Sequence, residues 1–123
     1  LAGDAFPSVL AAALRSYGQA TGEERPRIDL AKLSHHGGKG NTSPEMLEAM
    51  DCSRFLFSTD GSIFQHPDDE TVSRVIMRGG KPTLYFNHRT EITRRWGEAA
   101  RKREFGYAAI FPTKAGESLE VAV

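Results

Sequence analysis

Short apolar runs of strand length alternate along this chain with longer stretches of helical period, and that alternation leaves few architectures open. Phe6, Val9, Leu10, Ala13, Leu14 and Tyr17 recur at the spacing of one helix face, with Pro7 tolerated in the first turn and Gly18 able to end the helix. Ile28 to Ser34 reads as a short strand running into His35. Ser43-Pro44 opens a helix through Met50 as N-cap and first helical residue. Arg54 to Ser58 predicts a strand buried on both faces. Pro67, Asp68, Asp69 and Glu70 start a helix that Gly79-Gly80 closes, and Pro82 to Phe86 is the next strand. Thr90 to Lys102 predicts one helix with Ile92, Trp96, Ala99 and Ala100 on a shared face. Tyr107 to Phe111 and Leu119 to Val123 predict terminal strands. The fold class is therefore α/β, in a single domain spanning residues 1–123.

Several classes of protein are excluded at once. A charged fraction of 26% beside seven Phe, three Tyr and one Trp does not describe a disordered chain. No apolar run approaches the roughly 18 residues of a membrane-spanning helix. One cysteine, Cys52, leaves no internal disulfide framework and no Cys-rich zinc cluster, and suits a reducing cytoplasm. The chain begins at Leu1 without Met or a signal-type segment, and Leu1 to Gly3 reads as the end of a strand whose start is missing.

Zero net charge conceals an uneven distribution. Residues 74–103 carry nine basic and two acidic side chains, whereas residues 1–73 carry six and eleven. Such a stretch is either the solvated face of a helix or the footprint of a polyanion.

Three segments could carry chemistry. Asp4, between a strand end and a helix start, is either a cation ligand on a rigid edge or an N-cap. His35 and His36 end a strand and run into Gly37 and Gly38, where the backbone can approach a ligand closely. Adjacent imidazoles diverge, so one can bind metal while the other faces substrate; a His pair in a loop can equally be plain surface. Lys39 and the amides of this loop could meet an anion. His66 precedes Pro67 at a helix N-terminus, where an imidazole and free N–H groups can face a negative oxygen, or where the histidine simply caps a turn. His88 has no partner by spacing and reads as a structural or surface residue.

The order of these segments is more specific than any of them singly. Leu1-Ala2-Gly3-Asp4-Ala5, Ile28 to Gly38, Asn41-Thr42-Ser43-Pro44 and Phe64-Gln65-His66-Pro67 together resemble the carboxy-terminal half of a metallo-β-lactamase-fold hydrolase. The similarity is to the hydrolase domain of competence (ComEC-like) DNA-uptake proteins and covers about residues 1–80. Residues 81–123 read as an accessory carboxy-terminal extension of the same domain.

The resemblance implies half of a four-layer αββα sandwich with two metal ions, zinc or manganese, at one edge between the sheets. Asp4 would bridge the metals, and one of His35 and His36 would complete the second metal's shell. His35, which directly ends the strand, is the implied ligand; His36 would face the substrate and His66 a phosphate oxygen, with Lys39 a further substrate contact. The implied activity is hydrolysis of phosphodiester or other phosphate-bearing substrates, including nucleic acid.

One departure bears on all of this. The family's main motif, His-x-His-x-Asp-His, occurs nowhere in the chain, whose four histidines are His35, His36, His66 and His88. Two or three ligands do not close a binuclear site. The expectation is accordingly a partial domain, inactive alone, whose bare sheet face self-associates or meets a complementary amino-terminal half. The competing expectation is a non-catalytic nucleic-acid-binding module using Arg89, Arg94, Arg95, Arg101, Lys102 and Arg103, with Trp96 packing or stacking.

Overall fold

Four strands, all parallel and hydrogen-bonded in sequential order, bear out the α/β reading. The structure, a computed structural model, describes residues 7–33, 42–58, 67–78, 80–114 and 119–121. Its elements are α1 (Pro7–Thr21), β1 (Ala31–Lys32), α2 (Pro44–Glu48), β2 (Arg54–Phe57), α3 (Asp69–Met77), β3 (Thr83–Phe86), a 3-10 turn (Arg94–Gly97), α4 (Ala99–Phe105) and β4 (Ala108–Ile110).

The register decides which face is core. Ala31, Phe55, Leu84 and Ala109 stand side by side across the sheet, and Lys32, Leu56, Tyr85 and Ile110 form the next row on the opposite face. Phe55, Phe57, Leu84 and Phe86 are fully buried in one cluster with Leu47 of α2, Val72, Val75 and Ile76 of α3, and Trp96. Each such large side chain stabilises the fold by about 1.5–3 kcal/mol through burial. Among the described residues the helices therefore cover one face, as right-handed crossovers between sequentially adjacent parallel strands require.

The other face is a correction to the expectation for β2. Leu56 and Tyr85 are only half-buried, and Ile110 is 39% exposed. Phe55-Leu56-Phe57 is thus buried on one side, because no helix described here crosses behind Leu56. Arg54 lies along that side, with its guanidinium carbon 5.4 Å from the centre of the Tyr85 ring and its Nε donating to the Tyr85 hydroxyl at 3.2 Å.

Local signals in the sequence set most helix ends. Ser43 caps α2, its Oγ accepting from the Met46 N–H at 3.1 Å, with Pro44 in the first turn. Asp68 is the N-cap residue of α3, with Asp69 and Glu70 in its first turn.

Four expectations need correcting. First, α1 runs past Gly18 to Thr21 and stops at Gly22, whose φ is 78°. Gly18 instead lets the returning chain approach: its carbonyl accepts from the Glu23 N–H at 2.8 Å, and a Cβ there would strike the Glu23 carbonyl. Second, the buried stripe of α1 is Leu10, Ala11, Leu14 and Gly18, which leaves Val9 and Tyr17 about 60% exposed. The apolar periodicity was wide enough for either stripe, and contact with α2 selects one.

Third, Thr90 to Lys102 is not a single helix. The 3-10 turn gives way to α4 at Glu98, which is extended (ψ 128°), so Ala99 and Ala100 are exposed rather than beside Trp96. The buried Tyr107 hydroxyl donates to the Trp96 carbonyl at 2.7 Å, fixing the break. Fourth, residues 119–121 form no strand; the Leu119 N–H donates to Asn87 Oδ1 at 3.3 Å instead of joining the sheet.

Candidate functional site

In a parallel sheet every strand delivers the chain to the same edge, and here β1, β2 and β3 end side by side. The Leu33 N–H donates to the Leu56 carbonyl at 3.1 Å and the Asn87 N–H to the Phe57 carbonyl at 3.0 Å. Asn87 Nδ2 donates to Ser58 Oγ at 3.4 Å, so adjacent strand ends are tied to one another. This is the edge at which open α/β sheets present ligand sites.

The elements that receive the chain are equally fixed. Thr42, before α2, and Pro67, before α3, are fully buried. Arg74 of α3 donates from Nη1 to the Thr42 carbonyl at 2.7 Å, holding the start of α2 to α3. The stretches carrying the His35-His36 pair and His66 are thereby joined to anchored residues on both sides, Leu33 and Thr42 for one, Ser58 and Pro67 for the other. Asp4, His35, His36, Lys39 and His66 themselves lie outside the described residues. Among the described residues no group of three or more His, Cys, Asp or Glu side chains is arranged to hold a metal ion. Nor is any helix among them long and apolar enough to cross a membrane.

No family model, curated protein or solved structure matches the chain. What the site can do has to be read from its own residues.

The basic segment is built mostly into local contacts. Arg94 pairs with Glu91 at 3.0 Å, Arg95 with Asp69 at 2.8 Å and Arg101 with Glu98 at 3.9 Å. The Arg89 guanidinium sits 4.2 Å from the centre of the Phe111 ring, and Arg101 lies 5.2 Å from that of Trp96. Trp96 is buried, so of its two expected roles it packs. Lys102 and Arg103 project from the last turn of α4, where cations favour the helix dipole. His88 is exposed, which selects the surface alternative of its two readings, and its carbonyl accepts from Thr93 Oγ1 at 2.9 Å.

Two buried acids respond to alkali. Burial raises the Cys52 thiol above its usual value of 9.0, although its Sγ donates to the Arg54 carbonyl at 3.2 Å. Burial likewise raises the Tyr107 hydroxyl. Both groups hold their protons more tightly folded than unfolded. Their contribution is therefore complete below the unfolded values and is lost as pH rises through the folded ones. The urea midpoint is expected to fall as pH rises above about 9, and a midpoint that holds or rises there would contradict this reading.

Two residues that motif reading passed over also stand out. Arg25 and Arg78 meet around a single carbonyl at the opposite edge of the sheet, and no local sequence pattern announces the meeting.

Proposed function

We propose that this chain is the carboxy-terminal part of a metal-dependent hydrolase of the metallo-β-lactamase kind, acting on phosphodiester or other phosphate-bearing substrates. One observation carries the reading. The segments bearing His35-His36 and His66 are attached to adjacent, parallel, in-register strands at the same sheet edge. A sheet whose described helices lie on one face supports it as well, since half of an αββα sandwich offers its other face to a second sheet.

The donor chemistry fits in kind but not in number. One carboxylate (Asp4) and one imidazole (His35) are oxygen and nitrogen ligands that suit zinc or manganese, and His36 and His66 are left for substrate oxygens. A full set needs ligands of the His-x-His-x-Asp-His type from outside these residues. When bound, the metal would activate water and stabilise charge developing on phosphorus oxygens.

The chain alone is expected to bind zinc weakly, with a dissociation constant of about 10 µM or above, and to hydrolyse nothing. Asp4→Ala and His35→Ala should each weaken binding at least tenfold, a shift of about 1.4 kcal/mol. Calorimetric titration with zinc reads both effects. Binding that neither substitution alters would remove the proposal, and salt-sensitive, metal-independent binding to a duplex oligonucleotide would favour the nucleic-acid module instead.

A further inference from the structure

The edge of the sheet opposite the one just described holds a cavity of about 870 Å³, lined by Arg25, Arg78, Leu47 and Met77 among others. It lies at the amino-terminal ends of β2 and β3. Arg25 donates from Nε to the Glu48 carbonyl at 2.9 Å and from Nη2 to the Met50 carbonyl at 2.7 Å. Arg78 donates from Nη1 to the Cys52 carbonyl and from Nη2 to the same Met50 carbonyl, both at 2.7 Å. Two guanidinium groups thus converge on one oxygen atom.

Their positive charges are not cancelled by contact. Glu48 and Asp51 also line the cavity, yet among the described residues neither Arg25 nor Arg78 forms an ion pair. Burial first and the Arg25 charge second lower the proton affinity of Arg78, against an opposing pull from Cys52, Asp51 and Glu48. Donor capacity remains as well, since each terminal nitrogen that binds a carbonyl carries a second N–H. Backbone carbonyls hold both forks in place, so little side-chain entropy is left to lose on binding.

We propose that this cavity binds a small organic molecule through a phosphate group, which Arg25 and Arg78 engage together while the organic part lies against the exposed Pro44 and Met77. A single carboxylate is satisfied by one arginine fork, whereas a tetrahedral dianion accepts from two forks at once. The volume suits a ligand of nucleotide size. This proposal concerns the edge away from His35 and His66 and stands or falls independently of the hydrolase reading.

The test is calorimetry with adenosine monophosphate, inorganic phosphate and adenosine. The monophosphate should bind at least about tenfold more tightly than inorganic phosphate, and adenosine should not bind measurably. Arg25→Gln should cost about tenfold, the scale of a lost charge-assisted contact. Because Arg25 also ties down two carbonyls, Met77→Glu provides a second variant: Met77 is 73% exposed, and its replacement adds a repelling charge without touching those bonds. It should lower affinity at least as much while lowering the melting temperature by no more than about a few degrees, the cost of an acid in the last turn of α3. Equal binding of adenosine and its monophosphate, no monophosphate binding up to about 10 mM, or full affinity in a folded Met77→Glu variant would each overturn the proposal.

Discussion

Phe57→Ala is expected to remove about 3–5 kcal/mol of stability, the largest loss from any single substitution considered. Phe57 is 1% exposed and stacks on Phe86 with ring centroids 5.1 Å apart, and Phe86 stacks on Phe111 at the same spacing. Truncation would open a ring-sized void at the β2 end of three stacked aromatic rings, where backbone pairing between β2 and β3 resists collapse. Domains of this size have about 5–15 kcal/mol in total, so the variant should lie close to unfolding at room temperature. Phe105→Ala is the control: Phe105 is 47% exposed on α4, and its loss should stay within about 0.5 kcal/mol. Urea unfolding measures both. A Phe57→Ala loss below about 1 kcal/mol would mean that the aromatic stack is not the core of the sheet.

Arg78→Met should cost about 2–3 kcal/mol, although nothing in its position suggests catalysis. Its guanidinium holds the Met50 and Cys52 carbonyls, which belong to the turn delivering the chain from α2 to β2. Methionine keeps much of the apolar stem against the Phe55 ring, which the arginine overlies with 5.8 Å between guanidinium carbon and ring centre, but it cannot donate. Relief of repulsion from Arg25 offsets part of the loss. A parallel Arg25→Met variant separates the terms, because Arg25 leaves the Cys52 carbonyl untouched and is exposed. It should therefore lose less. Equal losses in urea melts would show that the shared Met50 carbonyl, not the Cys52 carbonyl, dominates.

Most of what depended on neighbours in sequence was legible. The stop of α1 nonetheless moved from Gly18 to Gly22, and the strand read over Ile28 to Ser34 is formed only at Ala31–Lys32 among the described residues. Ser43-Pro44 and Asp68-Asp69-Glu70 marked the starts of α2 and α3 because caps and first-turn charges act within a few residues. The runs at Arg54, Pro82 and Tyr107 gave β2, β3 and β4 because a sheet interior admits little else. What failed was settled by distant contacts. Leu10 and Leu14 rather than Val9 and Tyr17 face inward on α1 because α2 lies where it does. Glu98 interrupts the basic helix because Tyr107 claims the Trp96 carbonyl. The second face of β2 depends on which helices cross behind it, a property of the whole topology.

The site divides in the same way. Its candidate residues were found as motifs, and the sheet adds only which edge their segments leave from. The Arg25–Arg78 meeting could not be read in advance, since two residues far apart in sequence come together through the carbonyl of a third.

The central claim, that Asp4 and His35 serve one cation at the carboxyl edge of the sheet, is tested most directly by amide NMR of the chain titrated with zinc. The account predicts zinc-dependent changes at Leu33, Ser58 and Asn87, none at Cys52, Ser53 or Gly80 across the sheet, and their disappearance in both Asp4→Ala and His35→Ala. Spectra that zinc leaves unchanged, or changes that persist in both variants, would contradict it.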